Sequence, residues 1–147
     1  MFQMVLTTSY ENPDVDWQEL ADLIERAGLG RRDPHTLHRA YQHSQFVWFG
    51  YVDGKLMATA HAISDMTYAS YLSDVIVDAS FQGKGYGGQL MAAIMQALTP
   101  CGKVFIYSMP DKISFYKKLG YAPLTTGMIY AEGTALLRLQ EKGFVSG

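Results

Sequence analysis

Early in the chain, apolar residues return at every third or fourth position. From Trp17, the set Leu20, Ala21, Leu23, Ile24 and Ala27 traces one face of a helix that Gly28 or Gly30 ends. Asp33-Pro34 then opens a second helix, with Asp33 at N-cap and Pro34 at the first helical position, and this helix carries Leu37, Ala40 and Tyr41. Ahead of both, Val5 and Leu6 between threonines read as a strand ending near Thr8, and Asn12-Pro13-Asp14 reads as a turn and helix-start signal. The pattern then changes to strands. Residues 45–52 are rich in Phe, Trp and Tyr, Asp53-Gly54 is a two-residue hairpin turn, and residues 56–63 supply the partner strand. Ser64-Asp65-Met66-Thr67 turns the chain into a long strand over 68–77. Leu90, Met91, Ile94, Met95 and Leu98 restore helical spacing, closed by Thr99-Pro100-Cys101-Gly102. A strand over 103–108 follows, then a short helix over 112–119 with Gly120 at its end, a hairpin of 121–124 with 127–131, and a weak helix carrying Ala135, Leu136, Leu137 and Leu139.

Short links between the strands of 45–77 predict antiparallel pairing. The strand over 103–108 is reached through a helix, so it lies parallel beside the one over 68–77. The expected fold class is α/β (α+β): a mixed, mostly antiparallel sheet with one parallel βαβ step and flanking helices. Residues 1–147 are expected to form a single domain, with 133–147 as a C-terminal extension, since 147 residues suit one core and not two.

Composition narrows the partners. A net charge of −2 argues against a nucleic-acid surface, which needs a basic patch to release counterions. No apolar run approaches the roughly 20 residues that span a bilayer, and the first residues lack the basic and apolar regions of a signal peptide. The single cysteine, Cys101, cannot form an internal disulfide. A cytoplasmic protein without nucleic-acid or membrane partners is the expectation, and a homodimer stays open.

The chemistry concentrates after the apolar run Val75-Ile76-Val77. There Asp78-Ala79-Ser80 leads into Gln82-Gly83-Lys84-Gly85-Tyr86-Gly87-Gly88 and the helix of Leu90. Strand, glycine loop and helix together make a geometry for holding a phosphate, because glycines let the backbone approach and the first helical N–H groups point at the anion. The spacing from Gly83 to Gly88 fits a P-loop, but Gln89 and Leu90 stand where Lys and Ser/Thr are required. Gly83, Gly85 and Gly88 match a dinucleotide-binding fingerprint, but Phe105 stands where the acidic ribose ligand would be and too little chain remains for the fold. Gln82-x-x-Gly85-x-Gly87 after a Val-rich strand, followed by Phe115-Tyr116-Lys-Lys-Leu-Gly120-Tyr121, resembles the GCN5-related N-acetyltransferases (the GNAT superfamily). The resemblance runs from about Trp17 to Tyr130. Within the superfamily the chain is similar to small bacterial and plastid members of the serotonin (arylalkylamine) N-acetyltransferase type, through Gly54-Lys55-Leu56, Ser64-Asp65, Ser73 to Asp78, and Gly127-Met128.

The resemblance implies an acetyl-CoA-dependent N-acetyltransferase that modifies a primary amine of a small molecule by direct attack in a ternary complex, with no metal. It implies that the strands over 68–77 and from Lys103 splay apart around the thioester arm. Backbone amides of Gly83, Lys84, Gly85, Tyr86, Gly87 and Gly88 would cradle the pyrophosphate, with Lys84 adding charge and Gln82 in a place often held by Arg. The backbone of Val75, Ile76 and Val77 would pair with pantetheine like an added strand. Tyr116 would touch the cofactor and act as general acid, protonating the departing thiolate. An Asn that many members place ahead of this Tyr is replaced here at about Met109.

The amine arrives as an ammonium and must lose a proton, and Asp74, inside the pocket strand, is the candidate base. A structural hydrogen bond or cap explains Asp74 equally well, and His61, Asp65 or a water are alternatives. His35, His38 and His43 invite a metal reading, but no Cys or Glu completes a ligand set. Met66, Tyr68, Tyr71, Met109 and Met128 are either acceptor-pocket lining or core. Two other functions stay open: a non-catalytic acyl-CoA-binding sensor or interaction module, and an acetyltransferase of protein N-terminal or lysine amines.

Overall fold

The computed structural model describes residues 3–8 and 15–146, so the Asn12-Pro13-Asp14 signal lies outside the described residues. By its internal contacts the chain divides into two compact units, Met1–Ile106 and Tyr107–Gly147.

The first unit contains β1 (Val5–Thr7), α1 (Trp17–Arg26), α2 (Pro34–Gln42), β2 (Phe46–Val52), β3 (Lys55–Ser64), β4 (Ala69–Val77), α3 (Tyr86–Leu98) and β5 (Lys103–Phe105). The sheet runs in chain order from β1 to β5. Its first three pairings are antiparallel and β4–β5 is parallel, as the crossover through α3 requires.

Local signals set the helices. The Asp16 carboxylate accepts from the Gln18 and Glu19 N–H groups at the start of α1. Glu19 also accepts from the Leu56 N–H at 3.0 Å, which ties the helix to β3. Leu20, Leu23 and Ile24 are fully buried, each contributing about 1.5–3 kcal/mol through area removed from water. Gly28, at φ 81°, ends the helix, and the Leu29 N–H turns back to the Ile24 carbonyl. Asp33 caps α2 by accepting from Thr36, with Pro34 at the first position, as the sequence predicts.

These two helices share one core with Val47 and Phe49 of β2, Leu56 of β3 and Ile76 of β4. α3 buries Leu90, Met91, Ile94 and Leu98 and packs beside β4. Its Gln89 donates to the Met4 carbonyl, on the face where a side chain at Gly50 would collide with Met4 and Ala58. With both faces covered, residues 56–62 of β3 are all buried.

The second unit holds α4 (Ile113–Lys118) and α5 (Gly133–Glu141). The Tyr107 ring meets Phe144 edge-on at 5.3 Å. Gly120, at φ 97°, ends α4, and the Tyr121 N–H bonds to the Tyr116 carbonyl at 3.1 Å.

The structure differs from expectation in two segments. The strand expected over 103–108 stops at Phe105, and no strand forms in 121–131. Pro123 has no N–H to donate, and Leu124, Met128 and Tyr130 are exposed, so this stretch has strand-like composition without a ladder or a buried face.

Gly102 lets β5 begin. It sits at φ 92°, ψ −150°, a region open essentially to glycine alone. The next residue, Lys103, donates to the Tyr68 carbonyl at 2.9 Å, and a Cβ on Gly102 would lie 2.3 Å from that same oxygen. Gly102→Ala is therefore expected to cost about 2–4 kcal/mol and to lower the thermal midpoint by about 5 °C or more. Calorimetry giving a wild-type midpoint would refute this account of the β4–β5 start.

Candidate active site

β4 is paired on both sides for only part of its length. Ala69, Ser70 and Tyr71 pair with Lys103, Val104 and Phe105. From Leu72 onward β4 keeps its β3 partner, but among the described residues no strand covers its other edge. Val75, Ile76 and Val77 lie on this open stretch, where backbone groups can receive an extended ligand as a further strand.

The open edge ends at the glycine loop. The Asp78 N–H bonds to the Met57 carbonyl at 2.7 Å, and the Asp78 carboxylate takes the Arg26 guanidinium at 2.8 Å while accepting from Ser80. Gln82 turns back and donates to the Val77 carbonyl at 3.0 Å. Gly83 and Gly85 have φ 81° and 84°, and a Cβ at Gly83, Gly85 or Gly88 would meet nothing within 4 Å. Gly85 starts α3 with no side-chain cap, and the first helical bond runs from the Gln89 N–H to the Gly85 carbonyl. The amides of Gly87 and Gly88 thus precede the ladder at the positive end of a 13-residue helix. Lys84 extends over the Phe81 ring at 5.7 Å, and Tyr86 is buried beside Phe81. An open, glycine-lined, uncapped helix start fits a pyrophosphate, and the free edge leading to it fits the pantetheine arm of acetyl-CoA.

Asp74 interrupts the regular strand. Its φ is +51°, and three steps along β4 from Ser73 to Ile76 match two along β3 from His61 to Thr59. This is a β-bulge. Asp74 and Ile76 nevertheless lie on the same side, as alternation expects, because the Asp74 carboxylate reaches into the α1–α2 side of the sheet where Ile76 is buried. Arg32 grips it with both terminal nitrogens, at 3.0 and 3.3 Å. His61 Nε2 lies 2.8 Å from Oδ2, and His61 Nδ1 is 2.9 Å from the Ser44 hydroxyl. Ser44 also donates to the Ala40 carbonyl, so its one proton can serve either partner. His61 is only 8% exposed, and Tyr41 tilts over its ring at 4.5 Å. Tyr41 donates to Thr59, whose hydroxyl is already committed to the Trp48 carbonyl.

Burial alone would raise the Asp74 pKa. The hydrogen bonds from His61 and Arg32, together with the Arg32 charge, instead bring it down to about 2. In the second unit, burial raises the Tyr116 phenol above its usual value. The Tyr116 ring stands edge-on to Phe115 at 5.2 Å and to Tyr121 at 5.5 Å. The Tyr121 phenol is pushed up to about 12 by burial and by Tyr116.

The glycine loop, the β4 edge and Asp74 with His61 thus belong to the first unit, and Tyr116 to the second. Asp65 is a turn device: one carboxylate oxygen accepts from the Thr67, Tyr68 and Ala69 N–H groups. His38 stacks on Trp17 at 4.3 Å, and His43 bonds to the Arg39 carbonyl. Among the described residues no three His, Cys, Asp or Glu are grouped to hold a metal ion. Met66, Tyr68 and Met128 are exposed and so do not serve as core. The sequence reading missed Arg32 and Ser44. Neither carries a motif, and Arg32 lies 42 positions from Asp74.

Residues 15–121 match the model of the acetyltransferase (GNAT) family, and the chain belongs to this family. It is 32% identical over 114 residues to serotonin N-acetyltransferase 2, chloroplastic, of Oryza sativa subsp. japonica, a match covering 74% of this chain and 57% of the rice protein. It is 29% identical over 126 residues to GCN5-related N-acetyltransferase 1, chloroplastic, of Arabidopsis thaliana, covering 83% and 62% respectively. The chain therefore spans about three fifths of the length of these relatives. A GNAT-family acetyltransferase structure from Streptococcus pneumoniae superposes with a TM-score of 0.72 at 18% identity, over 88% of this chain and 98% of that one, which shows the shared fold.

Two outcomes are expected. Gly85→Val puts a branched side chain at φ 84° in the cradle and should weaken acetyl-CoA binding about tenfold or more; calorimetry showing unchanged affinity in a folded variant would remove the loop from the cofactor site. The lowered Asp74 pKa contributes stability that is complete above its unfolded value of 3.8 and is lost as pH falls through about 2. The stability gap between wild type and Asp74→Asn should therefore shrink by about 2 kcal/mol on acidification. Urea midpoints whose gap stays constant from pH 6 to pH 2 would contradict it.

Proposed function

We propose that the chain is an acetyl-CoA-dependent N-acetyltransferase that acts on a primary amine of a small molecule by direct attack in a ternary complex. One observation carries the reading: a strand edge left open in the body of the sheet runs directly into a glycine loop and an uncapped helix start. Family membership supports acetyl-CoA as the partner of that edge and loop.

In the reaction the amine nitrogen attacks the thioester carbonyl, and the tetrahedral adduct expels the CoA thiolate. The amine loses one proton and the thiolate gains one. Tyr116 is assigned the second transfer. A phenol raised by burial stays loaded at neutral pH and gives up its proton only to a strong base such as the thiolate. For the first transfer, an Asp74 carboxylate held at about 2 is a weak proton acceptor at neutral pH. The free-amine fraction then governs the rate, and the proton leaves to water, with Asp74 shaping the site instead of receiving the proton.

Similarity to the rice serotonin N-acetyltransferase 2 supports an arylalkylamine acceptor. Exposed apolar residues after β3, namely Met66 and Tyr68, are compatible with one. A reducing compartment such as the cytoplasm suits the single, buried Cys101.

A panel of amines scored by CoA-thiol release tests the reading. Arylalkylamines are expected to exceed polyamines about tenfold in kcat/KM. Tyr116→Phe should lower kcat about 10²-fold and leave acetyl-CoA affinity intact. Tight acetyl-CoA binding with no thiol release from any amine would replace the enzyme by an acyl-CoA-binding module, and undiminished turnover by Tyr116→Phe would make Tyr116 structural.

A further inference from the structure

Among the described residues three non-glycine residues have positive φ: Asp53, Met66 and Asp74. Asp53 and Met66 lie in turns between strands, but Asp74 lies within β4. A left-handed residue inside a strand persists only where its surroundings hold it. Here three hydrogen bonds do so, two from Arg32 and one from His61, on a carboxylate one carbon from the backbone. The anchors are themselves fixed. Arg32 also donates to the Leu29 carbonyl at 3.4 Å and is followed directly by the α2 cap at Asp33. His61 is clamped from behind by Ser44.

The bulge lies within the open stretch, with Asp74 immediately before Val75, Ile76 and Val77. Shifting it by one residue would reverse the facing of Val75, Ile76 and Val77. Ile76 would leave the core, where it is 3% exposed, and the backbone groups presented at the free edge would exchange with those facing β3.

Resting on the acyl-CoA reading of that edge, we propose that Arg32 and His61 are positioning residues: through the Asp74 side chain they hold the left-handed backbone of the bulge and so fix the register in which residues 75–77 meet the acyl-CoA arm. Asp74 then acts through its backbone conformation, not as a proton acceptor, and the α1–α2 connection is tied mechanically to the strand that receives the cofactor.

Substitutions at position 74 separate the two roles. Glycine takes φ +51° freely and asparagine tolerates it, whereas alanine does neither well. A proton acceptor is lost in all three. The experiment combines hydrogen exchange of the ladder amides of residues 72–77, without ligand, with acetyl-CoA affinity by calorimetry. Arg32→Ala and Asp74→Ala are expected to speed that exchange about tenfold and to weaken acetyl-CoA binding about fivefold, with native circular dichroism. Asp74→Gly and Asp74→Asn should retain more affinity than Asp74→Ala, and adding Arg32→Ala to Asp74→Gly should change little further. If Arg32→Ala does not fold, Arg32→Lys should give the same effects at reduced size. Unchanged exchange in a folded Arg32 variant would overturn the proposal, as would equal losses with glycine, asparagine and alanine. A wild-type protein that binds no acetyl-CoA would overturn the acyltransferase reading, while the exchange data would still decide whether Arg32 holds the bulge.

Discussion

Every buried N–H and carbonyl in a sheet must find a partner, and β4 meets this requirement differently along its length. Ser70 and Tyr71 are paired on both sides, with β3 and β5, and from Leu72 onward, among the described residues, only β3 pairs with the strand. That asymmetry begins at Gly102, whose left-handed backbone lets Lys103 close on the Tyr68 carbonyl. It is completed by the shortness of β5, which ends after Phe105. An exposed edge inside a sheet is ordinarily a hazard, since another chain can pair with it. Here the edge leads straight to the uncapped start of α3, an arrangement that would suit a ligand with an extended polar arm and a phosphate at its end.

The charge cluster beside that edge is not a simple source of stability. Removing a carboxylate, a guanidinium and an imidazole from water carries a desolvation cost that their mutual attraction only partly offsets. The Asp74 side chain is 11% exposed and the Arg32 side chain 34%, so Arg32 keeps more contact with solvent than Asp74 does. The lowered Asp74 pKa reports that the attraction exceeds the effect of burial on this carboxylate. Its chemical consequence runs against the base role that position 74 first suggests. A carboxylate made comfortable in its charged form has little appetite for a proton, and what it gains instead is a fixed orientation.

Local chemistry made much of the architecture legible in the sequence. Asp33-Pro34 capped α2, Gly28 and Gly120 ended their helices, and Asp53-Gly54 closed a hairpin, because each acts through the backbone of its immediate neighbours. The parallel step could be read from connectivity alone, since a strand reached through a helix has one favoured hand. The glycine loop between β4 and α3 could be read because glycines take the positive φ with which the chain turns into that helix. None of this required knowing what lay far away in the chain.

Tertiary structure decided the rest. The bulge at Asp74 has no local signature: a register shift is a property of two strands, and only pairing with β3 reveals that Ser73 to Ile76 spans one residue too many. Arg32 and Ser44 became site residues because the α1–α2 connection and the end of α2 come to lie against β3 and β4. Residues 121–131 show the converse, strand-like composition without a partner ladder, and a strand without a partner does not form. The sequence by itself determined which backbone could turn, cap and cradle, since those properties reside in single residues and their neighbours. Which carboxylate is charged, which strand edge is free and which arginine holds them depends on groups separated by tens of residues, and only the fold brings those together.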